Sequence, residues 1–281
     1  MTNRMATSQN PAPRAPDPLL ADALAERERQ TVAMVREAVE RRDVLLAFQP
    51  VIQTQRPERP AFHEGLVRVL DETGKVIPAR EFIAAVETTE TGRQLDCIAL
   101  EKGLRALLEH DGLRLSINMS ARSIGYPPWT KILTQAFTID PTIAERLILE
   151  ITESSAMHMP ELVSVFMEDL QAFGVSFALD DFGAGYTSFR YLRDFYFDIL
   201  KIDGQFIRGI AHDPDNQTLA KALIDIARHF EMLTVAEGIE NQEDGDYLAA
   251  QGIDCMQGYY FGAPTIHPPW AATAERGRKS A

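Results

Sequence analysis

At 281 residues, with 45% hydrophobic and 25% charged side chains, the chain has the make-up of an ordinary globular protein. It is long enough for one large domain, and α/β barrels typically take about 250 residues. No apolar run approaches the ~20 residues of a membrane helix and no signal-peptide core opens the chain, so a cytoplasmic protein without a membrane span is expected. A net charge of −13 argues against grip on a nucleic-acid polymer, but not against a small anion held by cations or arginines in a cleft.

Residues 1–18 carry Pro11, Pro13, Pro16 and Pro18 among small polar residues without a hydrophobic period, which predicts a disordered tail. From about Leu19 to Arg42, Val32, Val35 and Val39 recur at helical spacing, so a lead helix enters the domain; docking to a partner is its alternative role. Tail and helix start together make residues 1–28, the domain is expected over 29–270, and 271–281 form a second tail.

Leu45 to Ile52 and Ala61 to Leu70 are the first strand candidates. The proline- and arginine-containing link between them is too short for a parallel crossover, which needs about a dozen residues, so the first strand is expected to run antiparallel. Helical text follows from Pro78 to His110, broken near Gly92. Further strands are expected at Arg114 to Asn118, Leu147 to Thr152, Ser176 to Asp180, Ile199 to Ile202, Thr234 to Glu237 and around Asp254 to Gln257, with helices in most of the gaps. Leu162, Phe166, Leu170 and Phe173 make one apolar helix stripe, ended by Gly174; Leu219, Leu223, Ile226 and Phe230 make another. These strands and helical returns point to an α/β barrel of the TIM type rather than an open sheet. Cys97 and Cys255 lie far apart and read as reduced, buried thiols.

Where the chain leaves these apolar runs, polar residues recur: Glu64, Asn118, Glu150, the pair Asp180 and Asp181, Lys201, Glu237 and Gln257. In a parallel barrel such positions meet at the C-terminal face. Converging carboxylates repel unless divalent cations neutralise them. Singly, each has an ordinary explanation: Glu64 could sit on an edge strand, and Glu150 could pair with an arginine. The two adjacent aspartates are harder to dismiss, and the FGAGYTSF that follows reads as a mobile active-site loop or an ordinary βα turn. Every donor in the set is an oxygen, which suits Mg²⁺ or Mn²⁺. The six histidines show no zinc-type spacing. Lys201 lies within a core strand, where an ammonium is costly unless anions surround it; it either snorkels from the strand end or holds a hydroxide or phosphoryl oxygen. Arg68 shares the strand face of Glu64 and could bind a phosphate oxygen or support Glu64.

At FQPV (48–51), EGLVR (64–68), SINMS (116–120), LEITES (149–154), DDFGAGYTSF (180–189), LKID (200–203), AEGIE (236–240) and QGYYFGAP (257–264) the chain closely resembles the EAL family of cyclic di-GMP phosphodiesterases, over about residues 30 to 270. The resemblance implies a modified (β/α)8 barrel with its first strand antiparallel. It also implies hydrolysis of cyclic di-GMP to linear pGpG by two-metal, in-line water attack with two Mg²⁺ or Mn²⁺ ions, lowering the second messenger that controls motility and biofilm formation. On that resemblance Glu64, Asn118, Glu150 and Asp180 are metal ligands, and Asp181 and Glu237 hold the second ion, with Asp180 bridging. Lys201 and Gln257 stand beside the nucleophilic water. Arg68 contacts phosphate, Gln49 lines the substrate groove and Glu153 steadies the 180–189 loop. Lys201, Glu237, Asp181 and Glu64 form the catalytic set. A homodimer is implied, and an unidentified regulatory protein is a further expected partner.

Three departures stand out. The signature reads Glu-Gly-Leu, with Gly65 where relatives carry Ala. Glu90-Thr91-Gly92 replaces a frequent Gly-Leu-Ile, and Ile98 a frequent Trp. None removes a ligand. The readings in competition are an active phosphodiesterase, a catalytically silent cyclic di-GMP receptor or docking module, and a barrel hydrolase of another phosphodiester.

Overall fold

A computed structural model describes residues 18–183, 192–193 and 195–271. Residues 1–17 and 272–281 of the expected tails and most of the 180–189 loop lie outside the described residues, while Pro18, expected in the tail, opens the lead helix. Strands β1 (Val44–Gln53) and β2 (Arg56–Leu70) form an antiparallel hairpin, in one register from Val44↔Val69 to Val51↔Phe62 and irregular from Ile52 to the turn. The Pro- and Arg-containing stretch expected as the link is itself the start of β2, leaving Thr54 and Gln55 as the turn. Pro57 and Pro60, with the charges around them, suit an exposed strand end that must not recruit another strand.

Strands β4 (Leu115–Asn118), β5 (Leu147–Thr152), β6 (Ser176–Phe182), β7 (Ile199–Ile202), β8 (Leu233–Ala236) and β9 (Cys255–Met256) run parallel to β2 and to one another. β1 pairs antiparallel with β9 at Ile52↔Met256 and closes the ring, so the barrel has eight strands with the first reversed. One strand was not foreseen: β3 (Val76–Pro78) pairs antiparallel with the end of β2, Arg68 opposite Pro78, outside the ring.

The described helices are α1 (Pro18–Arg41), α2 (Ile83–Val86), α3 (Glu90–Glu109), α4 (Pro127–Ile139), α5 (Glu153–His158), α6 (Pro160–Gln171), α7 (Gly204–Ile207), α8 (Pro214–His229) and α9 (Gln242–Gln251). The C-terminal half of α1 buries Val35, Ala38 and Val39 against Val44, Val69, Phe82, Leu95 and Ile98. The break near Gly92 lies earlier than expected, at Glu87 to Thr89. Thr89 caps α3 by accepting the Gly92 N–H, so Gly92 lies inside the helix. A Cβ there would stand 2.4 Å from the Val86 carbonyl oxygen, so close packing explains this glycine.

Both stripes of large apolar residues hold in part: Phe166, Leu170, Leu223 and Ile226 pack in or against the core. On α6 the buried positions are Val163 and Met167, while Leu162 and Phe173 are exposed. On α8 they are Ala220, Leu223, Ile224 and Ala227, while Leu219 and Phe230 reach solvent. On α8 the inward Ala220 and Ala227 let the helix lie close to the sheet.

Beneath the polar strand ends lies an apolar cluster of Val51, Phe62, Ile148, Ala178, Ile199, Val235 and Cys255. Each stands two positions from Gln49, Glu64, Glu150, Asp180, Lys201, Glu237 or Gln257, hence on the same strand face. The apolar layer closes the barrel below the site and keeps water from it on that side.

Candidate active site

Lys201 ends the apolar run of β7, and its side chain is fully buried. Its Nζ lies 2.7 Å from Glu150 Oε2, 2.7 Å from Glu237 Oε1, 2.9 Å from Asp180 Oδ1 and 3.6 Å from Glu64 Oε2. These anions answer the cost of burying an ammonium and hold it protonated. Burial opposes the charge, but Asp180, Glu150, Glu237 and Glu64 together raise its pKa well above the ordinary lysine value.

Glu64 is fixed from two sides. Asn118 Nδ2 donates to Oε1 at 2.8 Å, and Gln257 Nε2 donates to Oε2 at 2.6 Å. The same Gln257 amide reaches Gln49 Oε1 at 3.1 Å, and Gln49 Nε2 donates to the Gly262 carbonyl at 3.0 Å. Burial works against the Glu64 charge, yet Lys201, Gln257 and Asn118 outweigh it and lower its pKa.

Consecutive strand residues normally face opposite sides of a sheet. Asp181, however, has φ of +54°, a left-handed conformation that aspartate tolerates, and the β6–β7 register shifts between Leu179 and Phe182. Both aspartates consequently open on one cleft of about 440 Å³, lined also by Glu64, Glu237, Gln49 and Gln257. One oxygen from each of Asp180, Asp181 and Glu237 lies within 4.8 Å of the others.

The cluster holds more negative charge than one lysine can balance. Burial, then Glu64, pushes Glu150 well above the carboxylate range. Burial likewise pushes Glu237 up to about 8 against the pull of Lys201, and pushes Asp181, with Asp180 and Asp203 beside it, up to about 6 even though it reaches solvent. Glu150 Oε1 and Gln257 Oε1 are buried without a hydrogen-bond partner. An all-oxygen donor set with orphaned buried oxygens and surplus negative charge fits hard divalent cations.

Eight expected residues thus fall into one network or cleft: Gln49, Glu64, Asn118, Glu150, Asp180, Asp181, Lys201 and Glu237, with Gln257 joining them through Glu64. Glu153 stands aside at the start of α5, and its Oε2 accepts the Gly183 N–H at 3.2 Å, where the 180–189 segment leaves β6. Arg68 is half-buried near Glu64 and Tyr259, and its Nη1 donates to the Val67 carbonyl at 2.9 Å. Sequence reasoning missed Arg80, Asp203, Arg208, Glu240 and Tyr259, which also line the cleft. Asp203 could have been found, since it continues the period of two beyond Lys201; the others lie on loops without such a signal. Larger hollows of about 590 and 650 Å³ lie elsewhere, but neither gathers the carboxylate cluster, so chemistry rather than size locates the site.

The EAL domain model matches residues 32–264. The chain is 32% identical over 235 residues to the cyclic di-GMP phosphodiesterase PdeB of Shewanella oneidensis, covering 82% of this chain and 27% of PdeB. It is 30% identical over 249 residues to the bifunctional diguanylate cyclase/cyclic di-GMP phosphodiesterase MucR of Pseudomonas aeruginosa, covering 86% of this chain and 36% of MucR. The chain therefore spans only about a third or less of these relatives' length. Among solved structures, the MucR phosphodiesterase in complex with c-di-GMP superimposes with a TM-score of 0.76 at 30% identity, covering 86% of this chain and 99% of that one. No helix among the described residues is long and apolar enough to cross a membrane. With the reversed first strand, the closed barrel and a match over most of its length, this chain belongs to the EAL domain family.

Proposed function

We propose that this chain is a metal-dependent phosphodiesterase that hydrolyses cyclic di-GMP to linear pGpG. The observation that carries the proposal is the buried Lys201 ammonium with Glu150, Asp180 and Glu237 at 2.7–2.9 Å, set in an otherwise all-oxygen site with orphaned acceptors. Glu64, Asn118, Glu150, Asp180, Asp181 and Glu237 are the residues that would hold two Mg²⁺ or Mn²⁺ ions. When bound, such ions neutralise developing charge on phosphorus oxygens and acidify water.

The chain's own groups supply the rest. Water attacks phosphorus in line, an O–P bond forms, and the bond from phosphorus to the 3′ oxygen breaks. Lys201 Nζ stays protonated and can donate to the attacking oxygen or to a phosphoryl oxygen. The carboxylates of Glu237 and Asp181 face the cleft where the attacking water would stand and are placed to take up its proton, and the departing 3′ oxygen is protonated in turn to leave as a hydroxyl. Gln257 and Asn118 keep the Glu64 carboxylate in one orientation. Arg68 holds a phosphate oxygen, and Glu153 anchors the backbone where the 180–189 loop begins.

Chromatography of cyclic di-GMP incubated with the protein and Mg²⁺ or Mn²⁺, beside a Glu64→Ala variant, tests this. Conversion to pGpG by the wild type alone is expected. Tight binding of intact cyclic di-GMP without conversion would instead make the chain a receptor, the reading that the complete ligand set disfavours.

A further inference from the structure

The only strand outside the barrel ring among the described residues has a consequence for the cleft. β3 pairs with the end of β2, Arg68 opposite Pro78, and a single 3₁₀ turn at Ala79–Glu81 follows at once. Ile77 and Phe82, on either side of that turn, are buried in the cluster under α1. The turn is thus pinned at both ends, and Arg80 at its middle is exposed and lines the cleft that holds Glu64, Asp180, Asp181 and Glu237.

Arg80 and Arg68 lie close enough for their charges to be felt. Burial lowers the Arg68 pKa first, and Arg80 lowers it further. Among the described residues neither guanidinium has an ion pair, and the one hydrogen bond of either side chain goes from Arg68 to a backbone carbonyl. Arg208 on the opposite rim is different: its Nε lies 3.5 Å from Glu240, and its guanidinium packs over Gly204 and Gly238. Two neighbouring guanidiniums without an ion pair among the described residues, one of them on a turn pinned at both ends beside the cleft, suit an anion site.

We propose that Arg80 joins Arg68 as a second guanidinium of the substrate anchor, gripping the phosphodiester that is not cleaved. The inference rests on the phosphodiesterase reading above. A cyclic dinucleotide carries two phosphodiesters. The scissile one must lie at Lys201, Asp181 and Glu237, on β7, at β6 and just after β8, whereas β2, which carries Arg68 and pairs with β3, lies across the ring from β7. Arg80 therefore acts on binding and leaves the bond-breaking groups untouched.

Calorimetry with cyclic di-GMP in chelator measures binding without turnover, and steady-state kinetics with Mn²⁺ separates KM from kcat. For Arg80→Ala, loss of a charge-assisted hydrogen bond raises Kd and KM about 10- to 100-fold while kcat stays within about two-fold. Arg80→Lys keeps the charge without the fork and falls between. Lys75→Ala, which removes an exposed charge from the same hairpin, controls for net charge and matches wild type. If Arg80→Ala binds within about two-fold of wild type, or if kcat falls with KM unchanged, the anchor is overturned and the phosphodiesterase reading stands. If the wild type itself neither binds nor converts cyclic di-GMP, both fall together.

Discussion

Replacing Gly65 by Ala restores the Glu-Ala-Leu signature and asks what the missing methyl costs. Gly65 is buried in β2 between Phe48 of β1 and Ile117 of β4, and its φ is not in the left-handed region. An added Cβ would stand 3.3 Å from the Ser116 carbonyl oxygen, 3.5 Å from Leu46 Cδ1 and 3.7 Å from Leu115 Cδ1. The two leucine contacts are ordinary packing, whereas the carbonyl must give by a few tenths of an ångström at most. Removing a strand glycine gains about 0.5–1 kcal/mol of backbone entropy, and a buried methyl adds about 0.8 kcal/mol. With the tight carbonyl contact set against these, Gly65→Ala is expected to stabilise the fold by about 1 kcal/mol and raise Tm by roughly 2–4 °C. Urea unfolding should show a higher midpoint with an unchanged slope. Activity should hold, because Asn118 and Gln257 continue to fix the Glu64 carboxylate. A lower midpoint would refute the reasoning: it would mean that β4, locked between β2 and β5, cannot yield at Ser116.

Two further perturbations test the electrostatics. Burial raises the Asp96 carboxyl to about 6, although Ser123 Oγ and the Ser120 N–H donate to it. The folded state therefore binds this proton more tightly than the unfolded chain, so the Asp96 contribution to stability is full below pH ~4 and is lost as pH rises through about 6. Asp96→Asn can accept the same two hydrogen bonds without a charge. It should flatten the slope between pH ~4 and about 6 by the share of one group, leaving that of Asp181, and, after discounting for partial exposure, stabilise the protein by about 1–2 kcal/mol at pH 7; an unchanged slope in pH-dependent urea unfolding would sink the idea. Lys201→Met leaves buried carboxylates without their cation. Unfolding in chelator should show a loss of about 3–5 kcal/mol, and turnover should fall at least about 100-fold; a variant as stable as wild type would show that Lys201 does not hold the cluster together.

The sequence alone was enough to locate the strand ends. Singly, Glu64, Asn118, Glu150, Asp180, Lys201 and Glu237 each have an ordinary explanation; it is their recurrence at the ends of successive apolar runs that pointed to one face of a barrel. β5 and β7 lie at the expected residues because their runs are short and β-branched or leucine-rich, each interrupted by a single charged residue, Glu150 or Lys201. The short link after β1 required an antiparallel neighbour whatever the rest of the fold. Other features depend on pairing and close packing, which a linear pattern does not contain. The left-handed Asp181 brings two consecutive carboxylates to one cleft against the strand period. Which residues of α6 and α8 turn fully inward depended on how each helix packs on the sheet: Val163 and Met167 on α6, and Ala220, Leu223, Ile224 and Ala227 on α8. β3 exists because three residues find the free edge of β2 beyond the reach of β4, and only that register sets Arg80 beside Arg68. Residue chemistry and period are local and legible in a sequence; register and approach distance arise when segments far apart in the chain meet.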